Sequence, residues 1–225
     1  MNSYCLPIIK FSKSEVLEQI ETHQAAYSYF EVWLDYVRDL DEAFVRELTG
    51  RLQGQLVVVF RRQGLEAIHM KLEERLAFLR LFDGTPVLVD LDLDSQEPEL
   101  DYIRQHKMVI QSVVSYHNYD LTPDGSELRQ IVARMEAYAP AVYKVSAMCQ
   151  TEHDAVRLLG LLLSLKAAGR RYIVLGMGEP GVVTRIFGTL WGNTLVFAPE
   201  TIAESSAPGQ LTRAQLDSIL STLKG

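Results

Sequence analysis

The segment VYKVSAMCQTEHDAVRLLGLLLSLKAAGRRYIVLGM, residues 142–177, decides the fold class of this chain. It predicts an apolar strand at Val142–Met148, an amphipathic helix at Glu152–Ala168 and a second apolar strand at Tyr172–Met177. A strand followed by a helix and another strand is the repeating unit of an α/β fold.

The same strand–helix pattern recurs about every 28 residues along the 225-residue chain. The predicted strands are Cys5–Phe11, Tyr29–Tyr36, Leu56–Arg61, Pro86–Leu93, Met108–His117, Val142–Met148, Tyr172–Met177 and Thr194–Ala198. The predicted helices are Ser14–His23, Asp41–Leu52, Leu72–Phe82, Glu97–Lys107, Gly125–Tyr138, Glu152–Ala168, Gly181–Leu190 and Thr212–Leu223. Eight such units favour a (β/α)8 TIM barrel, with residues 1–225 as a single domain; a doubly wound open sheet is the alternative.

Local signals mark several helix ends. Thr151 begins a stretch that resembles a capping box, and Thr212 with Gln215 resembles another. Gly169 and Gly225 fall where helix-ending glycines are expected.

The composition indicates an ordinary globular protein. Hydrophobic residues make up 48% and charged residues 23% of the chain. No apolar run reaches transmembrane length, and no signal peptide is recognisable, so we expect no membrane association. Cys5 and Cys149 lie in apolar runs, which predicts buried free thiols and a cytoplasmic location. The net charge of -7 argues against nucleic-acid binding.

Polar side chains alternate with aliphatic ones along strands that otherwise appear buried. On the second strand Glu31, Trp33 and Asp35 share one face, and on the fourth strand Asp90 and Asp92 share one. Such faces indicate either an internal network of ion pairs or a polar site at the barrel mouth. Their presence on several strands favours the site.

Lys144 lies in the middle of an apolar strand, and the preceding strand ends in His117. Burial disfavours the charged form of a lysine. A neutral amine with a base close by is suited to attack on a carbonyl group. The pair therefore suggests Schiff-base chemistry.

Four motifs carry a resemblance to a known family: Ser115–Tyr119 (SYHNY), Tyr143–Val145 (YKV), Gly178–Arg185 (GEPGVVTR) and Ser206–Gln210 (SAPGQ). In this order on eight strand–helix units, they resemble type I 3-dehydroquinate dehydratase, the Schiff-base class of the shikimate pathway. The resemblance runs nearly end to end, from Cys5 to the last helix.

That resemblance implies a hydro-lyase that dehydrates 3-dehydroquinate to 3-dehydroshikimate. Lys144 would form an iminium with the C3 ketone, and His117 would act as general base and then general acid. Asp92 matches a glutamate that orients the histidine; being one methylene shorter, it should make a longer or water-mediated contact. No metal or organic cofactor is implied.

The resemblance also implies a set of substrate-binding residues and a small-molecule partner. Arg185 would clamp the substrate carboxylate, and Arg61 would be a second binding arginine unless Arg62 takes its place. A homodimer is also possible. The implied substrate-binding residues are Glu31, Asp35, Arg61, Arg185, Ser206 and Gln210.

The chain departs from the family at position 33, where Trp33 replaces an arginine between Glu31 and Asp35. The change removes a cation and leaves one donor, so the two carboxylates should lose a partner. The segment Arg62–Ala67 also lacks the usual Glu-Gly-Gly run. We expect an active enzyme with altered binding; the alternative is an impaired or non-catalytic barrel of the same family.

Two other interpretations remain open. The glycines in Gly176–Gly181 satisfy G-x-G-x-x-G after a strand and before a helix, which is typical of a dinucleotide site. Too little chain follows to complete a nucleotide-binding sheet. Another Schiff-base barrel of the class I aldolase type would need a phosphate or aldehyde site that the sequence does not reveal.

Overall fold

The computed structural model describes residues 3–224, in which eight parallel strands are surrounded by eight helices. The strands are β1 (Tyr4–Ile8), β2 (Tyr29–Trp33), β3 (Leu56–Val59), β4 (Leu88–Asp92), β5 (Gln111–Asn118), β6 (Val142–Met148), β7 (Tyr172–Met177) and β8 (Val196–Phe197). The helices are α1 (Lys13–His23), α2 (Glu42–Leu52), α3 (Leu72–Leu81), α4 (Glu97–Gln105), α5 (Gly125–Glu136), α6 (Glu152–Ala167), α7 (Val182–Trp191) and α8 (Arg213–Lys224).

The strands pair in the order β7-β6-β5-β4-β3-β2-β1-β8, and every pairing is parallel. The remaining gap lies between β7 and β8, where the Thr194 amide donates a hydrogen bond to the Tyr172 carbonyl oxygen at 2.7 Å. The sheet is therefore a nearly closed barrel. The predicted TIM barrel is confirmed, and the open-sheet alternative is wrong.

One apolar layer lies between the strands and the helices, and a second apolar layer fills the interior of the barrel. Outward-facing side chains such as Val32, Val58 and Val145 pack beneath the helices. Inward-facing ones such as Val57, Val113 and Val142 fill the barrel near the amino ends of the strands. Because side chains alternate along a strand, the polar groups at the carboxyl ends point into the barrel above this inner layer.

Most predicted strands are longer than the observed ones. The predicted strand Tyr29–Tyr36 ends at Trp33, because Leu34–Tyr36 form a 3-10 turn. The eighth strand contains only Val196 and Phe197. By contrast, β6 and β7 have the predicted bounds. Apolar composition predicts a buried strand, but neighbouring strands decide where pairing stops.

The predicted capping signals are present in the structure, although several helices begin or end one or two residues from the predicted bounds. The Asp154 carboxylate accepts a hydrogen bond from the Thr151 amide at 3.0 Å, and the Thr212 and Gln215 side chains cap one another's backbone amides. Gly169 has a φ of 68° after α6. The predicted helix-ending Gly225 lies outside the described residues.

Two features of the described chain concern its cysteines and its helices. Cys5 and Cys149 are buried free thiols, as predicted. Within residues 3–224, none of the helices combines the length and apolar character needed to cross a bilayer.

Candidate active site

Lys144 lies on β6 with its amine inside the barrel, and the residue is 4% exposed. Its Nζ is 2.7 Å from Asp90 Oδ2, 3.7 Å from Glu31 Oε1 and 4.5 Å from the centre of the Phe197 ring. The amine thus lies between two carboxylates, and the neutral amine expected from the sequence stays a prediction.

Asp90 holds this amine and was not among the predicted site residues. It accepts hydrogen bonds from Arg61 Nη1 at 2.6 Å, from Ser115 Oγ at 2.6 Å and from Lys144 Nζ. Burial alone would raise the pKa of Asp90, but the charges of Arg61 and Lys144 bring it well below its usual range. Asp90 is thus an anion shared by two cations. Its alternation with Asp92 along β4 was the sequence signal that could have identified it.

His117 lies on β5, two residues beyond Ser115, which pairs with Lys144 in the sheet. Its Nδ1 is 2.9 Å from Asp92 Oδ2, and its Nε2 is 3.2 Å from Arg61 Nη2. Burial, with the charge of Arg61, lowers the pKa of His117 to about 4. At neutral pH the imidazole is therefore neutral, with Nδ1–H donating to Asp92 and the Nε2 lone pair accepting from Arg61.

Asp92 contacts His117 directly, so the predicted longer or water-mediated contact is wrong. The turn after β4 brings the shorter side chain close, because Oδ1 accepts from the backbone amides of Asp94 at 3.2 Å and Ser95 at 2.9 Å. Burial opposes ionisation, but the hydrogen bond from His117 lowers the pKa of Asp92 to about 2. This carboxylate fixes the imidazole tautomer.

Arg185 is a buried guanidinium in the first turns of α7, 5% exposed. Its Nη2 donates to the Pro208 carbonyl oxygen at 3.3 Å, and its buried Nε has no hydrogen-bond partner. Within residues 3–224 no carboxylate forms a salt bridge with it, and burial lowers its pKa to about 10. An unpaired buried cation of this kind is suited to binding the carboxylate of a ligand.

Ser206 and Gln210 lie together in the loop between β8 and α8. The Ser206 amide donates to Gln210 Oε1 at 2.8 Å, and Gln210 Nε2 donates to Ser206 Oγ at 2.9 Å. Gln63 Nε2 reaches the Ser206 carbonyl oxygen at 3.4 Å from the loop after β3. The two loops therefore meet across the barrel mouth.

The structure distinguishes Arg61 from Arg62. Arg61 lines the cavity, whereas Arg62 Nη1 pairs with Asp35 Oδ2 at 3.0 Å. Asp35 does not line the cavity. Its carboxylate accepts from the backbone amides of His69 at 3.0 Å and Met70 at 2.7 Å. The strand ends before Asp35, so its side chain fixes the loop after β3 instead.

Trp33 and Glu31 form a pair on β2. Trp33 Nε1 donates to Glu31 Oε2 at 2.8 Å, so Glu31 has not lost its partner as the sequence suggested. Glu31 Oε1 is buried and makes no hydrogen bond. Burial raises the pKa of Glu31, although the charge of Lys144 opposes this shift.

One cavity at the carboxyl ends of the strands brings most of the predicted residues together. Asp92 lies behind His117 and Asp35 lies away from the cavity. The lining residues are Glu31, Trp33, Arg61, His117, Tyr119, Lys144, Ser146, Leu175, Arg185, Phe197, Ser206, Ala207 and Gln210. Within it an amine, an imidazole and an unpaired guanidinium can act on a single small ligand.

The G-x-G-x-x-G segment forms a tight turn between β7 and α7. A Cβ on Gly176 would lie 2.7 Å from Gly181 Cα and 2.6 Å from Cys149 Sγ, and Gly178 has a φ of 76°. Close backbone packing alone therefore accounts for this glycine spacing. The turn positions Arg185 four residues after Gly181.

Comparisons with known proteins agree with this geometry. A family model described as type I 3-dehydroquinase matches residues 4–225. The chain is 29% identical over 207 residues to a 3-dehydroquinate dehydratase of Coxiella burnetii, an alignment covering 92% of this chain and 87% of the relative. It is 25% identical over 233 residues to one of Klebsiella pneumoniae, with 97% and 92% covered. The solved 3-dehydroquinate dehydratase of Geobacillus kaustophilus superimposes with a TM-score of 0.83 at 24% identity, over 100% of this chain and 91% of that one.

Proposed function

The chain belongs to the type I 3-dehydroquinase family, and on that premise we propose that it dehydrates 3-dehydroquinate to 3-dehydroshikimate through a Schiff base on Lys144. The proposed reaction makes it a hydro-lyase, as the names of its relatives indicate. The observation that carries the proposal is one cavity lined by Lys144, His117 and the unpaired Arg185.

Substrate binding begins at the carboxylate. Arg185 offers free donors and a charge without a salt-bridge partner, and a guanidinium suits a planar carboxylate. Ser206 and Gln210 border the same end of the cavity and supply hydroxyl and amide groups for the substrate oxygens. The ketone then faces Lys144.

Imine formation requires Lys144 to lose a proton. Glu31 Oε1 lies 3.7 Å from Nζ and has no hydrogen-bond partner, so it is the acceptor we assign to this proton. The neutral amine adds to the C3 carbonyl, and Glu31 returns the proton to the hydroxyl group of the carbinolamine, which leaves as water and gives the iminium. The iminium withdraws electrons from the neighbouring C2–H bond.

His117 removes the C2 proton through Nε2, whose lone pair becomes available once the Nη2 donor of Arg61 shifts from it to Asp90 Oδ2, already 3.4 Å away. Asp92 stabilises the resulting imidazolium through Nδ1. The electron pair from C2 expels the C1 hydroxyl group, which takes the proton from His117 and leaves as water. Water then hydrolyses the iminium, which releases the enone and regenerates Lys144.

Borohydride trapping tests this proposal. The protein is incubated with 3-dehydroquinate and borohydride, and the modified residue is identified by mass spectrometry. We expect an adduct on Lys144, none in Lys144→Arg, and an unchanged adduct in the control Lys107→Arg, which replaces an exposed lysine. Absence of both the adduct and the enone product would overturn the proposed function.

A second candidate is a barrel of the same family that binds this ligand without turnover. The observation that favours it is Trp33, an apolar residue that lines the cavity at the position where the family resemblance implies an arginine. Calorimetric binding of 3-dehydroquinate without adduct or enone would identify this candidate.

Several expectations from the sequence stay predictions. They are a single domain over residues 1–225, a cytoplasmic location, a possible homodimer, no nucleic-acid partner and no metal or organic cofactor. The proposed chemistry is consistent with the last of these, since the lysine itself supplies the electron sink.

A further inference from the structure

We propose that Trp33 determines substrate specificity by making the hydroxyl group beside the ketone dispensable. The enzyme would accept cyclic 3-oxo acids with or without a hydroxyl group at the carbon equivalent to C4 of 3-dehydroquinate. This inference rests on the proposed function and concerns the position at which the family resemblance implies an arginine.

Trp33 presents an apolar surface to the cavity. It is 3% exposed, lines the cavity, and packs edge-on against Tyr36 with ring centres 6.1 Å apart. Its single donor, Nε1, is already used by Glu31 Oε2 at 2.8 Å. The indole therefore has no donor left for a ligand hydroxyl group.

The neighbouring guanidinium is also occupied. Arg61 lies over the indole, with Cζ 5.5 Å from the ring centre. Its Nη1 donates to Asp90 at 2.6 Å, and its Nη2 contacts Asp90 at 3.4 Å and His117 at 3.2 Å. Its Nε is buried and has no hydrogen-bond partner in the structure. On the wall formed by β2 and β3, Trp33 therefore has no donor left for a ligand hydroxyl group, and the Nη atoms of Arg61 are directed at Asp90 and His117.

Glu31 Oε1 is the one unpaired acceptor on that wall, and it lies 3.7 Å from Lys144 Nζ. In the proposed reaction it takes the lysine proton. It is therefore committed to the amine during the step in which a hydroxyl group beside the ketone would compete for it.

The fixed points of the reaction orient the substrate. Its C3 carbon must be at Lys144 Nζ, its C2 proton at His117 and its C1 carboxylate at Arg185. The remaining ring edge, which begins at C4, then faces β2 with Trp33. A site that hydrogen-bonds a hydroxyl group rejects the analogue lacking it by about 10⁴-fold or more, whereas an apolar wall discriminates far less.

A competition experiment tests the inference on the intact protein. A mixture of 3-dehydroquinate and its 4-deoxy analogue is incubated with the enzyme, and the two enone products are quantified by mass spectrometry. Their ratio gives the ratio of the two kcat/KM values. For the wild-type protein we expect this ratio to lie within about tenfold of unity, because neither C4 substituent gains a directed hydrogen bond.

Two variants assign the effect to position 33. Trp33→Arg introduces donors for the C4 hydroxyl group and should raise the preference for 3-dehydroquinate at least about tenfold. Trp33→Phe retains an apolar wall and should leave the ratio within about threefold of the wild type. Thermal unfolding of both variants checks that they are folded, and the wild-type ratio tests the inference even if they are not.

The outcomes separate the two proposals. A wild-type preference above about a hundredfold for 3-dehydroquinate overturns the specificity role of Trp33 and leaves the proposed function intact. Equal shifts in Trp33→Arg and Trp33→Phe overturn it as well. If neither ketone gives an enone or a borohydride adduct on Lys144, the proposed function fails and this inference fails with it.

Discussion

Replacing Asp92 with asparagine should prevent His117 from acting as a general base, while Lys144 still forms the Schiff base. In the wild type, Asp92 Oδ2 accepts from His117 Nδ1 at 2.9 Å, and Oδ1 accepts from the amides of Asp94 and Ser95 and from Ser95 Oγ. An asparagine keeps those three donors satisfied only by directing its NH₂ group at His117. Nδ1 must then accept, so the ring proton moves to Nε2 and the catalytic lone pair is lost.

The magnitude follows from the role of the base. A positioned general base contributes about 10²- to 10⁴-fold to the rate, so we expect kcat to fall about 10³-fold, which corresponds to about 4 kcal/mol. The opposite orientation of the asparagine amide also fails, because it places its NH₂ group against the amide donors of Asp94 and Ser95. In the first orientation the new Nε2–H of His117 meets the Nη2 donor of Arg61, so each orientation brings two buried donors together.

Initial rates of enone formation measure the effect, and borohydride trapping measures the amine separately. Lys144 Nζ contacts Asp90 and Glu31 rather than Asp92, so Asp92→Asn should still form the adduct. Asp92→Glu is the matched control because it keeps an acceptor, and it should stay within about tenfold of wild type. A kcat for Asp92→Asn within tenfold of wild type, in a folded protein, would refute the reasoning.

Three further predictions concern binding, acid stability and packing. Arg185→Gln should raise KM about 10- to 100-fold through loss of a charge-assisted hydrogen bond; initial-rate kinetics check this, and a rise below threefold contradicts it. Between pH 6.5 and about 4, folded His117 stays neutral while its unfolded form takes up a proton. The contribution of His117 to the free energy of unfolding is therefore fully present above pH 6.5. It falls by up to about 3 kcal/mol toward pH 4, at 1.36 kcal/mol per pH unit. In urea unfolding, His117→Asn should lose correspondingly less over this interval, and an equal loss would count against the assignment. A Cβ on Gly181 would lie 2.6 Å from the Gly176 carbonyl carbon, so Gly181→Ala should lose about 2 kcal/mol. A Cβ on Gly160 would have no neighbouring atom within 4 Å, so Gly160→Ala should show no loss of stability in the same urea assay. Equal losses in the two variants would refute the packing argument.

The order of elements could be predicted because it is encoded locally. Three- and four-residue spacing of apolar side chains predicts helices, and short runs rich in Val and Ile predict strands. These signals located all eight pairs and, with the motifs, the family that the matched model confirms. Strand ends were predicted less well: β2 ends at Trp33 because a 3-10 turn follows it, and β8 contains only Val196 and Phe197.

The contacts within the site could not be predicted in the same way. Asp90 joins Lys144 across 54 positions of sequence, and nothing local to either residue encodes that distance. The choice between Arg61 and Arg62 depended on one residue of register, which reverses the direction of a side chain. The bond from Trp33 to Glu31 contradicted the expectation that this carboxylate would lose its partner.

The sequence alone determined the barrel class and the family resemblance, and it singled out Lys144 and His117 as the proposed reactive pair. Only the tertiary structure decided that Lys144 rests between two carboxylates, that His117 is held neutral between Asp92 and Arg61, and that Trp33 has no donor left for a ligand. The physical reason is the range of the forces involved. Backbone periodicity acts over a few residues of sequence, whereas ion pairs, desolvation and hydrogen bonds depend on distances that exist only after eight strands have closed into a barrel.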